Sequence, residues 1–156
     1  MIEIERKFLV TSDAFKNEAF NSYVIKQGFL NSHKDRTVRV RLTDEIGYIT
    51  VKGPSSKDGL SRFEWEKELA IHDAEALLAL CEPGIIHKTR YEVEANNHVF
   101  EVDEFYGENN GLIIAEVELN SAEETFERPK WLGDEVTGDI KYYNSNLSKH
   151  PYNTWE

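Results

Sequence analysis

Charged residues separated by a single position recur along this chain. Acidic pairs lie at Glu3/Glu5, Glu64/Glu66, Glu101/Asp103 and Glu116/Glu118, and basic residues lie at Lys7, Arg39/Arg41, Lys52, Arg62 and Lys88/Arg90. Residues i and i+2 of a β-strand project to the same side, so each pair delivers two charges to one face. Carboxylates are the usual ligands of Mg²⁺ and Mn²⁺, whereas guanidinium and ammonium groups bind phosphate oxygens. The residue types therefore indicate a site for a phosphate polyanion that carries a divalent metal.

The segments that hold these charges alternate between charged and apolar residues, which is the period of a β-strand. About eight strands are predicted: Ile2–Val10, Tyr23–Leu30, Thr37–Leu42, Gly47–Lys52, Ser61–Leu69, Lys88–Glu94, His98–Phe105 and Leu112–Leu119. The links between them are turn-rich, as in Gly53-Pro54-Ser55-Ser56 and residues 107–111. Short helices are predicted at Ser12–Phe20, Asp73–Leu80, Thr125–Arg128 and Ile140–Ser148, and Ser121 with Glu124 forms a capping box before the third. The fold class is thus α+β and mainly β.

Two arrangements fit a sheet with one strongly charged face. The face could be exposed to solvent and carry ordinary surface ion pairs. Alternatively, the strands could form a closed antiparallel β-barrel with a polar lumen, whose apolar outer side is covered by the helices. Eight strands are enough to close such a barrel and leave room for one small ligand. A lumen that holds both cations and carboxylates suits a polyanion with its metal.

Composition narrows the possible partners. The chain has 156 residues, 18 Lys and Arg against 29 Asp and Glu, and a formal net charge of −11. Such an acidic chain lacks the positive field that nucleic acid or an anionic membrane requires, and no apolar run is long enough to span a bilayer. One cysteine, Cys81, excludes an internal disulfide and suggests the reducing cytoplasm. We expect a single domain over residues 1–156, and the sequence does not indicate its oligomeric state.

The order of the charged motifs resembles that of CYTH domains, the triphosphate tunnel metalloenzymes, over essentially the whole chain. The motifs are Glu3-Ile4-Glu5-Arg6-Lys7, Arg39-x-Arg41, Thr50-Val51-Lys52, Arg62-x-Glu64-x-Glu66, Lys88-Thr89-Arg90-Tyr91, Glu101-x-Asp103, Ala115-Glu116-Val117-Glu118 and Gly133-Asp134-Glu135-Val136-Thr137. The resemblance is closest to short bacterial members without an accessory domain. It implies an eight-stranded antiparallel tunnel that binds a triphosphate with one or two divalent metals.

The resemblance also implies roles for individual residues. The metal ligands would be Glu3, Glu5, Glu116 and Glu118, and the triphosphate would be held by Lys7, Arg39, Arg41, Lys52, Arg62, Arg90 and Lys141. Glu64, Glu66, Glu101 and Asp103 would bind a second metal or orient the basic side chains through ion pairs. Lys88 would be the general base for the attacking water, or another phosphate contact.

Two positions depart from the family pattern. Phe29 stands where related short members can carry Tyr, so it offers no hydroxyl to phosphate or water. Ile140 stands where a basic residue is expected beside Lys141. Both departures bear on the preference for substrate and metal and leave the predicted fold unchanged.

The sequence therefore predicts an enzyme, a hydrolase that uses Mg²⁺ or Mn²⁺ to convert inorganic tripolyphosphate to pyrophosphate and phosphate. Family members that cyclise ATP or hydrolyse thiamine or nucleoside triphosphates give an alternative, and a non-catalytic polyphosphate- or nucleotide-binding module gives another. An organic substrate would need an aromatic pocket at the tunnel mouth. Trp131, Tyr142, Tyr143 and Trp155 are the candidates, but we expect them to pack in the core.

Overall fold

The computed structural model describes residues 2–155, and within that range the chain is mainly β with short helices, as predicted. Its strands are β1 (Ile2–Val10), β2 (Asn21–Asn31), β3 (Thr37–Leu42), β4 (Gly47–Ser55), β5 (Ser61–Leu69), β6 (Ile86–Ala95), β7 (His98–Phe105), β8 (Ile113–Glu118) and β9 (Leu132–Glu135). Its α-helices are α1 (Phe15–Glu18), α2 (Ile71–Leu78) and α3 (Asn144–Leu147). Single 3₁₀ turns cover Gly107–Asn109, Ile140–Tyr142 and Tyr152–Thr154.

Eight of these strands pair in an antiparallel ring. Their order is β5-β4-β3-β2-β6-β7-β8-β1, and pairing of β1 with β5 joins the two ends. The register sets Glu3 opposite Arg62 at that junction and Glu5 opposite Glu118 on the other edge of β1. The predicted eight-stranded antiparallel ring is therefore confirmed.

Strand β9 was not predicted. It adds to β1 beyond the β5 junction, with Phe8 opposite Glu135 and Val10 opposite Leu132. Four residues are too few for an alternating pattern to be recognised in the sequence, because a strand is usually longer. This strand carries the chain back to the ring before the C-terminal segment.

One apolar core lies outside the ring, between the strands and the segments that cover them. Phe8 and Phe100 are fully buried there against Phe15 of α1 and Trp131. The cover is incomplete, however, because Phe63 and Trp65 on the outer face of β5 remain 43% and 40% exposed. The prediction that helices cover the whole outer side is therefore wrong at β5.

A second apolar cluster fills one end of the ring. Ile86, Phe105 and Ile114 lie on the same face of their strands as the inward charged residues, because each is an even number of positions from them. They pack against Leu147 of α3. Tyr142, Tyr152 and Trp155 lie against the same cluster. The C-terminal segment thus closes this end of the interior with apolar side chains.

Two helix predictions need correction. Residues 124–129 form no helix; the Glu124 carboxylate accepts a hydrogen bond from the Asn120 amide and contacts His98 Nε2 at 2.6 Å. The predicted C-terminal helix over Ile140–Ser148 is divided at Tyr143 into a 3₁₀ turn and α3.

Over residues 2–155, no helix has the length and apolarity needed to cross a membrane.

Candidate active site

The interior of the ring holds a cavity of about 270 Å³ whose wall is densely charged. Among the described residues, seven basic side chains line it: Lys7, Arg39, Arg41, Lys52, Arg62, Lys88 and Arg90. Seven carboxylates line it as well: Glu3, Glu5, Glu64, Glu66, Glu101, Glu116 and Glu118. The charged faces predicted from the alternation therefore face a common interior and not bulk solvent.

Two predicted site residues do not line this cavity. Asp103 lies behind the wall, where its side chain is 3% exposed. Lys141 Nζ lies 4.3 Å from the centre of the Trp155 ring and 5.6 Å from that of Tyr142. The ammonium group of Lys141 is thus held by a cation–π contact on the aromatic cluster of the C-terminal segment.

Asp103 is enclosed by two cations of the neighbouring strand β6. Its two carboxylate oxygens accept hydrogen bonds from Arg90 Nε at 2.8 Å and Nη2 at 2.9 Å, and Oδ2 also lies 2.7 Å from Lys88 Nζ. Burial raises the pKa of Asp103, but Arg90 and Lys88 outweigh it and hold the pKa well below the usual range. The bidentate geometry fixes the Arg90 guanidinium in the cavity wall. These contacts favour an orienting role for Asp103, the second of the two roles expected for it.

Lys88 is fully buried beside this ion pair. Its pKa is lowered to about 7, because burial and the charges of Arg90 and Arg41 outweigh the opposing charge of Asp103. A lysine with such a pKa is neutral for a substantial fraction of the time near neutral pH. It can then accept a proton, which an ordinary lysine cannot do at this pH.

Arg39 and Arg41 lie side by side on β3 with incompletely satisfied guanidinium groups. Burial lowers the pKa of both, and the neighbouring Arg90 charge adds to that effect. Within residues 2–155, Arg39 Nε is buried without a hydrogen-bond partner. A buried donor without a partner costs free energy, so an acceptor oxygen that reached this group would be bound favourably.

Two further basic side chains of the cavity, Lys7 and Arg62, lie around Tyr143. Lys7 Nζ lies 5.0 Å and Arg62 Cζ lies 5.8 Å from the centre of its ring, and its hydroxyl lies 3.2 Å from Ser55 Oγ. Arg62 is also fixed by hydrogen bonds to the Gly53 carbonyl oxygen at 2.8 and 3.1 Å. Tyr143 was expected to pack in the core and instead lines the cavity, whereas Trp131 is buried in the core as expected.

The carboxylates on β1 and β8 are less completely paired. Lys52 lies 3.2 Å from Glu3, and Lys7 lies 3.7 Å from Glu116. Burial, together with the charges of Glu116 and Glu3, raises the pKa of Glu5 well above its usual range. Burial also opposes ionisation of Glu116, but Lys7, a hydrogen bond from Glu5 and Arg90 lower its pKa to about 2. These directions fit a proton held between Glu5 and Glu116.

This donor set has the chemistry of a divalent-metal site. A proton between two half-buried carboxylates occupies a place that a cation can take, since like charges close together must be neutralised. Carboxylate oxygen is also the ligand that Mg²⁺ and Mn²⁺ prefer. Within the described chain, no group of three or more acidic, His or Cys side chains already converges as a metal cage. The residues therefore fit a metal that is held jointly with other ligands, such as phosphate oxygens and water.

The remaining carboxylates of the cavity form ion pairs. Glu66 lies 3.6 Å from Arg39, Glu64 lies 3.9 Å from Lys52, and Glu101 lies 3.3 Å from Arg90. Glu66 additionally accepts a hydrogen bond from Thr50 Oγ1 at 2.7 Å. These contacts favour an orienting role for the three residues.

Two amides of the site, one buried and one half-buried, were missed in the sequence. Gln27 is fully buried; it accepts a hydrogen bond from Arg41 Nε at 3.2 Å and donates to Asn144 Oδ1 at 2.8 Å. Asn144 Oδ1 also accepts from Lys88 Nζ at 3.0 Å. The Gln27 position follows the alternation of its strand, but no local signal marks Asn144, because its partners lie far away in the chain.

Comparisons with known proteins agree with this geometry. The sequence profile described as the CYTH domain matches residues 1–151. An inorganic triphosphatase of Acetivibrio thermocellus is 46% identical over 155 residues, which cover 99% of this chain and 97% of the relative. An inorganic triphosphatase of Nitrosomonas europaea is 36% identical over 152 residues, which cover 95% and 97%.

A solved structure has the same fold. The crystal structure of the inorganic triphosphatase NE1496 superposes with a TM-score of 0.63 at 29% sequence identity. The superposition covers 94% of this chain and 93% of that chain.

Proposed function

The chain belongs to the CYTH family, and we propose that it is a divalent-metal-dependent hydrolase of inorganic tripolyphosphate. Triphosphatases of this family depend on a divalent metal. The observation that carries the proposal is the equal number of cations and carboxylates on the cavity wall among the described residues. The names of the relatives, which are inorganic triphosphatases, support the inorganic substrate.

The balance of charge explains why a metal is needed. A triphosphate brings several negative charges into a cavity whose own formal charges cancel. Without added cations, the complex would hold a large uncompensated negative charge in a partly buried space, which is strongly unfavourable. A divalent ion on Glu3, Glu5, Glu116 and Glu118 would offset this charge, and it would also polarise the phosphate oxygens. We propose Mg²⁺ or Mn²⁺, because both prefer oxygen ligands.

The basic side chains would hold the phosphate chain in extended form. Arg39, Arg41 and Arg90 present guanidinium groups from neighbouring walls, and a guanidinium fork matches two phosphate oxygens. Lys52 and Arg62 would bind from the adjoining strands β4 and β5, and Lys7 would bind from β1. Because these groups are already fixed by ion pairs and hydrogen bonds, little reorganisation is needed when the substrate binds.

Lys88 would act as the general base. Its neutral amine takes a proton from a water molecule, and the water oxygen forms a bond to the terminal phosphorus. The P–O bond on the opposite side of that phosphorus breaks, and pyrophosphate leaves with the bonding electron pair. The proton on Lys88 is then returned to solvent. The product pair is orthophosphate and pyrophosphate.

The cavity favours an inorganic substrate. Its volume of about 270 Å³ is small, and Tyr142 and Trp155 pack against each other with ring centres 5.3 Å apart. Those rings are therefore engaged with each other and do not form an open pocket for a nucleobase.

The single cysteine also supports a location in the reducing cytoplasm.

Phosphate release by the purified protein tests the proposal. Tripolyphosphate, ATP and thiamine triphosphate are each incubated with Mg²⁺, Mn²⁺ or EDTA, and cyclic AMP is measured in the ATP reactions. We expect rapid release from tripolyphosphate with metal, little from the organic triphosphates and none in EDTA. Preferred turnover of ATP, as phosphate or cyclic AMP, would contradict the substrate. Tight triphosphate binding without turnover would identify a binding module.

A further inference from the structure

The terminal nitrogen of Lys88 has a defined set of neighbours. Across residues 2–155, it donates a hydrogen bond to Asn144 Oδ1 at 3.0 Å and forms an ion pair with Asp103 Oδ2 at 2.7 Å. Asp103 comes from the neighbouring strand β7, whereas Asn144 is the first residue of α3 in the C-terminal segment. The two acceptors therefore approach Lys88 from separate elements of the fold.

Two acceptors have a specific consequence for a neutral amine. A neutral lysine has two N–H bonds and one lone pair in a tetrahedral arrangement. When both hydrogens are held by acceptors, rotation about the Cε–Nζ bond is blocked and the lone pair has one remaining direction. With Asp103 alone, the amine could rotate and turn its lone pair away from the cavity. Asn144 thus supplies the second contact that a base of fixed orientation needs.

The Asn144 side chain is itself fixed. Gln27 Nε2 donates to the same oxygen at 2.8 Å, and Gln27 Oε1 accepts from Arg41 Nε at 3.2 Å. The network therefore connects Arg41, Gln27, Asn144 and Lys88, and Asp103 extends it to Arg90. The Arg90–Asp103 contact is buried and the contacts of Gln27 and Asn144 are partly buried. Hydrogen bonds that are shielded from water are stronger, so changes of geometry there are costly.

The backbone that carries Asn144 is anchored on two sides. Leu147 is buried among Ile86, Phe105, Leu112 and Ile114. At the end of α3, Gly84 has φ +97°, and a Cβ there would clash with the Ser148 carbonyl oxygen. Because glycine permits this close approach, the loop before β6 can hold α3 against the ring.

We propose that Asn144 is a positioning residue that holds the Lys88 amine with its lone pair directed into the cavity. The proposal rests on the hydrolase function proposed above. It assigns a role in the reaction to the C-terminal segment, which otherwise closes one end of the ring. Through Gln27, the same asparagine couples the orientation of the base to Arg41, a residue that would bind phosphate.

Two nearly isosteric variants test the proposal. Asn144→Leu removes the acceptor, and we expect kcat for tripolyphosphate to fall by about tenfold or more, with KM changed less than threefold. Asn144→Asp keeps the acceptor and adds a negative charge to the groups that face Lys88, which are Asp103, Arg90 and Arg41. In Asn144→Asp, the pH at which kcat reaches half its maximum should rise by about one unit, and most of kcat should be recovered above that pH. A purely structural role would not produce this recovery.

The control is Asn146→Leu in the same helix, because Asn146 bonds only to the backbone of its own segment, at the Lys141 carbonyl oxygen among the described residues. It should leave kcat within twofold of the wild type. The proposal is overturned if Asn144→Leu also stays within twofold, or if Asn144→Asp leaves the pH profile unmoved.

A measurement without turnover separates this proposal from the proposed function. NMR of ¹³Cε-labelled lysine follows the titration of Lys88 in the protein without substrate, and a Lys88→Met variant assigns the signal. In Asn144→Asp the midpoint should rise by about one pH unit. An unchanged midpoint would overturn the contact between Asn144 and Lys88. Absence of wild-type turnover with a shifted midpoint would contradict only the hydrolase function.

Discussion

The two sides of the cavity hold their charges in different ways. On β6 and β7, Arg90, Asp103 and Lys88 form a buried network in which each charged group has a close partner. On β1 and β8, Glu3, Glu5, Glu116 and Glu118 crowd together, and the pKa of Glu5 is raised well above its usual range. The first side is fully paired without a ligand. On the second side Lys52 and Lys7 pair with Glu3 and Glu116, but Glu5 and Glu118 have no ion-pair partner among the described residues. The comparison indicates that the phosphate-binding and base-bearing side is preorganised, and that the acidic side is completed by a metal.

Lys88→Met should have the largest effect on activity. It removes the proposed base but keeps most of the side-chain volume, so kcat should fall by about 10²–10⁴-fold while triphosphate binding persists. Steady-state kinetics and calorimetry check both halves. Lys26→Met, on the exposed side of the adjacent strand β2, is the matched control and should have near-normal activity. Retention of wild-type kcat in Lys88→Met would show that another group acts as base.

Asp103→Asn should have the largest effect on stability. It leaves buried positive charge without its carboxylate, and the free energy of unfolding should fall by about 3 kcal/mol. Urea unfolding measures this loss. Glu104→Gln is the control. Glu104 lies on the same strand as Asp103, and its ion pair with Lys16 of α1 is partly exposed, so the loss should be less than about 1 kcal/mol. Equal losses in the two variants would contradict a preorganised network.

Divalent metal should stabilise the acidic side. At about 100 times its Kd, Mg²⁺ or Mn²⁺ should raise the free energy of unfolding by about 2.7 kcal/mol, or Tm by about 5 °C. The rise should be mostly lost in Glu5→Gln and kept in Glu75→Gln on the outer helix α2. It should also increase with pH, since the proton on Glu5 must leave before the metal binds. A metal-induced rise that survives in Glu5→Gln would place the metal elsewhere.

The smallest predicted effect is the pH dependence of kcat/KM. The pKa of Lys88 is lowered to about 7, so the fraction of neutral amine, and with it kcat/KM, should rise as pH increases through about 7. Below that pH the amine is protonated and cannot accept a proton from water. The affinity of Lys88→Met for tripolyphosphate is measured over the same pH range. Its change with pH reports ionisation of the substrate, and the kcat/KM profile is corrected for it. A flat profile after this correction would exclude Lys88 as the base.

Much of this arrangement was predictable, because alternation along a strand decides which side chains share a face. The bounds of β1, β3, β5 and β7 match the predicted strands, and their inward charges meet in one cavity. Alternation could thus assign the charges of each strand to one face, but it left open whether that face met solvent or a common interior. The interior was implied by the resemblance to CYTH domains.

Other features depend on contacts that local sequence does not reveal. Asn144 is bound by Gln27 and Lys88, which lie 117 and 56 positions away, and uncharged amides follow no distinctive spacing. Similarly, the capping-box pattern at Ser121 and Glu124 predicted a helix. The Glu124 carboxylate instead bonds to His98 on another strand and to the Asn120 amide, so tertiary contacts decide its role.

Binding of tripolyphosphate to Lys88→Met, with Mg²⁺ and with EDTA, tests the central claim most directly. This variant allows the affinity to be measured by calorimetry without hydrolysis. Because cations and carboxylates balance in the cavity wall, the affinity should be at least about tenfold higher with Mg²⁺ than with EDTA. Equal affinity in the two conditions would show that the basic side chains alone neutralise the substrate, and it would contradict the proposed role of the acidic side.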